Sequence, residues 1–272
     1  MNIKNLIRAV LALSMVASYA AVAAEGGASD SDKIAQYREM IADGNPADFD
    51  EMAGEELWKK PSGPKKATLE KCDLGKGPGV VKGAYAELPR YFKDTDRVQD
   101  LESRLLTCMT TLQGIPEEQI TAKPFSSDTK KSDISELATY VVGQSKGVKM
   151  AVSTKHAKEK EAYEIGKRIF YYRAGPYDFA CSTCHATSDV RIRMQDLPNF
   201  NVQKDAQAAY TSWPAYRVSQ GLTRSFQWRL NDCFRQQRFP EPKFASEATI
   251  ALTMFLAVNA NGAEYAGPGL KR

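Results

Sequence analysis

Cys181-Ser182-Thr183-Cys184-His185 is the stretch in which residue type and spacing most strongly specify chemistry. Two thiols three positions apart can add to the vinyl groups of one porphyrin, while the adjacent imidazole turns beneath the ring to ligate its iron. The pattern predicts one covalently bound c-type haem, attached at Cys181 and Cys184 with His185 as an axial ligand. A structural zinc would need about four ligands. Beyond this stretch the chain offers one further histidine, His156, and no second cysteine pair of this spacing. A redox dithiol would not require a histidine at this position.

Four side chains are candidates for the opposite axial position. His156 lies upstream among Lys155, Lys158 and Lys160 and reads as a solvated surface residue. Met194 follows His185 by only nine residues, and Met254 sits in an apolar stretch where methionine ordinarily packs. Cys233 is 48 residues beyond His185, a suitable reach, although a lone cysteine is more often a small buried hydrophobe. Its neighbours favour chemistry. Arg229 is one helical turn before it, and Arg224, Arg235 and Arg238 are close by. Positive charge favours thiolate over thiol, and a planar guanidinium beside the sulfur would receive a small oxyanion. Arg235 and Arg238 read equally well as a solvated helix face.

Helices must position these groups. The segment 161–172 carries Tyr163, Gly166, Ile169 and Phe170 on one helical face. The segment 225–238 places Phe226, Leu230, Phe234 and Gln237 on one stripe, with Arg229 and Cys233 on the next, before Pro240 ends it. No alternating apolar run with hairpin turns argues for a sheet. The fold is expected to be mostly α.

An internal repeat organises the chain. Gly54, Leu57, Trp58, Gly63, Pro64 and Cys72 have counterparts at Gly166, Ile169, Phe170, Gly175, Pro176 and Cys184, each 112 residues later. Arg104-Leu105-Leu106-Thr107-Cys108 resembles Arg229-Leu230-Asn231-Asp232-Cys233, and apolar helical stretches at 134–142 and 250–258 close the halves. Two domains of similar plan are expected at 25–150 and 151–272, with 143–156 connecting them. The offset aligns Cys181 with Leu69, Cys184 with Cys72 and His185 with Asp73, so the first half should bind no haem. With no haem between them, Cys72 and Cys108 could approach and form a disulfide, the alternative being two reduced, buried thiols. Closing that 36-residue separation would contribute about 3–4 kcal/mol in the chain-entropy account.

At 272 residues, 43% hydrophobic and 26% charged, the chain has the composition of a folded protein. Its formal charge of +4, without a dominant basic run, gives no reason to expect nucleic acid. Residues 1–24 read as a secretory leader: Lys4 and Arg8 precede an apolar stretch, and small residues at Ala21-Val22-Ala23-Ala24 suggest cleavage near Ala23 or Ala24. The mature chain contains no stretch expected to span a membrane. In a bacterium such a leader directs export to the periplasm, where cysteines can be oxidised.

Lys71-Cys72-Asp73-Leu74-Gly75, Leu101-Glu102-Ser103-Arg104-Leu105, the Cys181–His185 motif and above all Trp228-Arg229-Leu230-Asn231-Asp232-Cys233-Phe234-Arg235 resemble the SoxA family. These are c-type cytochrome subunits of periplasmic SoxAX complexes in bacterial sulfur oxidation. The sequence lacks the first attachment motif of two-haem members and resembles the single-haem branch, in which a disulfide replaces the first haem. The resemblance implies two tandem cytochrome c-like domains, the first without haem. It implies an L-cysteine S-thiosulfotransferase that couples thiosulfate to a cysteine of the carrier SoxYZ, with electrons passing to c-type cytochrome. It further implies Cys233 as the iron-ligating, reacting residue open to persulfide modification, Arg229 as a substrate-binding residue, and a SoxX cytochrome partner. The rival expectation is a cytochrome that only carries electrons, which would have a methionine ligand and no arginine cluster at the sulfur.

Overall fold

The computed structural model describes residues 44–127, 129–192 and 195–271, together with residue 36. The expected leader and Met194 lie outside the described residues. The first half runs through α1 (Ala47–Lys59), β1 (Arg90–Phe92), β2 (Arg97–Gln99), α2 (Leu101–Cys108), α3 (Glu117–Thr121) and α4 (Asp133–Gly143). The second contains α5 (Ala157–Tyr171), α6 (Cys181–His185), β3 (Arg191–Ile192), β4 (Gln195–Asp196), α7 (Gln203–Tyr210), β5 (Ala215–Arg217), β6 (Leu222–Arg224), α8 (Phe226–Gln236), α9 (Glu247–Asn259) and β7 (Gly269–Lys271). The architecture is mostly α, with short strands between helices.

Local chemistry starts the principal helices. Asp100 caps α2 by accepting from the Ser103 amide, and Ser225 caps α8 by accepting from the Trp228 amide. Ser246 does the same for α9 through Thr249. His156 begins α5: its Nδ1 accepts from the Lys158 amide at 3.2 Å, while Glu159 reaches back to the His156 amide at 3.2 Å. Its ring also lies flat on Tyr91, with centroids 3.7 Å apart. This histidine therefore has a structural role at the surface.

Two helix crossings carry the core. α1 packs on α4, and α5 packs on α9. At each, glycine permits the backbones to touch: a Cβ at Gly54 would lie 2.1 Å from the Glu136 carbonyl oxygen, and one at Gly166 would lie 1.9 Å from that of Ala251. One turn further, Trp58 meets Tyr140 with centroids 6.0 Å apart, as Phe170 meets Phe255 at 5.2 Å. The turn bridged by Ser62 and Ala67 likewise matches that bridged by Ala174 and Phe179.

The halves are joined through buried groups. Tyr85 and Tyr210 stack with centroids 6.1 Å apart, and Tyr265 meets Tyr85 edge-on at 5.3 Å. At the facing starts of α2 and α8, the Gln227 amide donates to Glu102 and its side chain donates to Asp100 at 2.7 Å. The connecting segment is pinned rather than loose. Gly147 and Met150 donate backbone hydrogen bonds to Tyr265 and Ala263, and the Val152 amide donates to Asn261.

Short strands form where no alternating run argued for a sheet, within a fold that remains mostly α. β5 pairs antiparallel with β6 and parallel with β7, placing Arg217 opposite Leu222 and Lys271. Strands of three residues are too short to display a period of two in sequence.

Candidate haem and active site

The four residues predicted from the attachment motif and the lone cysteine converge. Cys181, Cys184, His185 and Cys233 line one cavity of about 350 Å³, together with Arg229. α6 supplies the first three and α8 the other two. Apolar groups from several other elements complete the walls, including Phe170 on α5, Trp213 before β5 and Leu252 and Leu256 on α9. Met254 is fully buried in the core and does not line this space, which agrees with a packing role.

The attachment turn is held at both ends. Thr183 accepts from the Ala180 amide at 2.9 Å, closing the start of α6. His185 Nδ1 lies 2.9 Å from the Pro198 carbonyl oxygen. A carbonyl can only accept, so Nδ1 carries the proton and Nε2 keeps its lone pair. The His185 backbone oxygen accepts from the Phe200 amide at 2.7 Å, and the Phe200 ring packs edge-on against the imidazole. Burial, followed by the positive charge of Arg229, holds the imidazole below its ordinary pKa despite the Pro198 bond. Burial and the Pro198 hydrogen bond together favour the form whose Nε2 can donate to a metal.

Cys233 is half-buried and borders the cavity. Arg229, one turn away, lowers its pKa, and Arg217 adds to that effect. The net direction is nevertheless upward, because burial outweighs the cations and Asp232 opposes them. The arginines act in the expected direction, and desolvation opposes them. Cys181 is pushed up to about 12, chiefly by burial. A bound metal would reverse the direction at Cys233, since a coordinating thiol is deprotonated.

The arginines predicted around Cys233 have different duties. Arg229 donates to Asp232 at 3.0 Å and sits over the Trp213 ring at 5.9 Å. Arg235 is exposed and paired with Asp232 at 2.5 Å, while Arg238 is exposed outside the cavity. Arg224 donates to Gln220 and to the Ser126 carbonyl, its guanidinium packed on Trp228. Sequence reasoning missed Arg217, which lines the cavity from β5, and Asp232, which is 7% exposed and also accepts from Gln236. Asp232 was visible three residues after Arg229; Arg217 had no sequence signal.

Cys72 and Cys108 are joined by a disulfide, with Cα atoms 5.6 Å apart, among fully buried Leu69, Leu74 and Leu105. Arg104 donates to the Asp73 carbonyl at 2.6 Å and stacks over Phe92 at 4.0 Å, with Asp94 as its ion-pair partner. Asp73 itself accepts from the Gly75 and Gly77 amides.

Two thiols, a neutral imidazole and a further sulfur bordering a largely apolar space form a donor set that fits a covalently attached haem. Among the described residues, no three His, Cys, Asp or Glu side chains cluster closely enough to hold a lone metal ion. The donors surround a space instead of closing on a point. This fold and site define a c-type cytochrome.

The comparisons place it more narrowly. The family model for the SoxA/TsdA cytochrome c domain matches residues 53–150. The chain is 53% identical over 239 residues to the L-cysteine S-thiosulfotransferase subunit SoxA of Hydrogenophilus thermoluteolus, covering 88% of this chain and 87% of that one. It is 35% identical over 230 residues to a subunit of the same name from Hydrogenobacter thermophilus, covering 84% and 82%. The fold resembles the crystal structure of SoxXA from P. pantotrophus, with a TM-score of 0.69, 23% identity and coverage of 84% and 79%. The chain belongs to the SoxA family, whose cofactor is covalently bound c-type haem.

Proposed function

We propose that this chain is the SoxA subunit of an L-cysteine S-thiosulfotransferase, joining thiosulfate oxidatively to a cysteine of a SoxYZ-type carrier. The observation that carries the reading is the convergence of the attachment motif, Arg229 and Cys233 on one cavity. The names of relatives at 53% and 35% identity support the activity. The proposed architecture is two tandem cytochrome c-like domains, 25–150 without haem and 151–272 with it. Support comes from the matched glycine crossings and from a cytochrome c domain model that aligns with a stretch lacking any attachment motif.

Cys181 and Cys184 would hold the haem covalently, and His185 Nε2 and the Cys233 sulfur would ligate its iron. When bound, the haem supplies a one-electron redox centre beside the reacting sulfur. Arg229 receives the thiosulfate dianion, oriented by Asp232. The Cys233 thiolate and thiosulfate form Cys–S–S–SO₃⁻, releasing two electrons to c-type cytochrome acceptors. The carrier thiolate then attacks the sulfane sulfur, and Cys233 departs as thiolate. A SoxX cytochrome is the proposed partner, in keeping with the fold of SoxXA. The leader at 1–24 and the disulfide support a periplasmic location; no helix among the described residues is long and apolar enough to cross a membrane.

The test is cytochrome reduction by the haem-loaded complex with thiosulfate, with and without carrier protein. Reduction should require both, and Arg229→Ala should lower kcat/KM about 100-fold while retaining haem. Reduction independent of thiosulfate, or a methionine-type haem spectrum in the native protein, would leave the electron-carrier reading in its place.

A further inference from the structure

Arg229 is not a solitary cation at this site. Arg217 and Lys271 also line the cavity, against one lining carboxylate, Asp196. Arg217 and Lys271 are register partners at the ends of the parallel strands β5 and β7, whereas Arg229 projects from α8. Two independent elements therefore bring guanidinium groups to the same space. Trp228, adjacent to Arg229 in the chain, has the Arg217 guanidinium 5.9 Å from its ring centroid, so Arg217 is braced by the helix that carries Cys233.

The charge of Arg229 is already shared. Its terminal nitrogen donates to Asp232, a buried carboxylate that also takes Arg235 and Gln236. This arrangement orients Arg229 but reduces the positive charge it offers. A doubly charged oxyanion leaving water for a largely apolar cavity needs more than one partly neutralised cation. Accepting the functional reading above, we propose that Arg217 is a second substrate-binding residue. With Arg229 it clamps the sulfonate end of thiosulfate from opposite elements and makes the cavity selective for dianions over monoanions.

The experiment measures thiosulfate kinetics and equilibrium thiosulfate binding in the haem-loaded complex for wild type, Arg217→Gln, Arg217→Lys and Arg229→Ala. Arg217→Gln should raise KM and the dissociation constant at least tenfold, with kcat changed less than threefold and the haem spectrum unaltered. It should also flatten the dependence of KM on salt, since one charge contact is gone. Arg217→Lys should recover most of the affinity, because charge is retained while the two-pronged donor is lost. If Arg217→Gln leaves KM, binding and salt dependence within twofold of wild type while Arg229→Ala impairs them, this proposal is overturned and the functional reading stands. If wild type neither binds nor turns over thiosulfate, both fall. Should Arg217→Gln fail to fold, an Arg217→Lys variant with a salt slope unlike wild type and no retained affinity would equally overturn the charge argument.

Discussion

At the scale of single residues, the site depends on side chains whose neighbours restrict what they can do. His185 is useful because the Pro198 carbonyl accepts a hydrogen bond from Nδ1, leaving Nε2 for a metal. Asp232 is useful because it holds Arg229 in place from a buried position. Replacing Asp232 with Ala should leave three donors without their acceptor. The expected result is a loss of about 1–3 kcal/mol in denaturant stability and a several-fold rise in the thiosulfate KM. Asparagine at the same position should recover the stability more completely than the affinity, because its amide accepts hydrogen bonds but carries no charge. Cys233→Met should convert the haem absorption from a thiolate-type to a thioether-type spectrum, read directly in the visible range, while attachment through Cys181 and Cys184 persists.

Helices set the next scale, and their crossings leave little tolerance. Gly166 lies on α5 where α9 passes, and any Cβ there would strike the Ala251 carbonyl. Gly166→Ala should therefore force α5 from α9 and cost about 2–4 kcal/mol. Because Phe170, Leu252 and Leu256 on those helices wall the cavity, covalent haem yield should fall as well. Gly54→Ala makes the same collision in the first half, with Glu136, and should reduce stability while affecting the haem spectrum much less. The disulfide is tested separately. A Cys72→Ala, Cys108→Ala variant should lose about 3–4 kcal/mol of stability, with normal thiosulfate turnover at temperatures where it stays folded.

Across the whole molecule, the junction between halves is buried and polar. Glu102 and Asp100 sit at the facing helix starts, where burial first and their mutual repulsion second raise the Glu102 carboxyl to about 8. A carboxyl with a raised folded pKa contributes full stability below its unfolded value of 4.5, and loses that contribution as pH rises towards about 8. Unfolding measured from pH 5 to pH 9 should show a decline in stability over that interval. Glu102→Gln keeps an oxygen to accept the Gln227 amide and removes the titration. Its stability should vary less with pH and exceed wild type at pH 9 by on the order of 2–4 kcal/mol. A wild-type decline unchanged in the variant would assign that decline to another group.

Much of the site is legible in residue type and spacing. Covalent chemistry dictates the spacing of Cys181, Cys184 and His185, and helical periodicity places Arg229 one turn from Cys233. The 112-residue offset aligns Leu69 and Asp73 with Cys181 and His185 in sequence, and it pairs Gly54 with Gly166, each of which lies at a helix crossing. These are local or periodic features, carried by residue type and spacing alone. Other features exist only through long-range pairing. Arg217 reaches the cavity because β5 lies between β6 and a C-terminal strand more than fifty residues away. Pro198 meets His185 because the intervening loop folds back, and the pKa of Cys233 reflects burial as well as nearby charge. Sequence alone determined the spacing of the two thiols and the imidazole in the attachment motif and the one-turn separation of Arg229 from Cys233. The tertiary structure decided which cations share the cavity and how far each is withdrawn from water, because desolvation and strand pairing depend on residues distant in the chain.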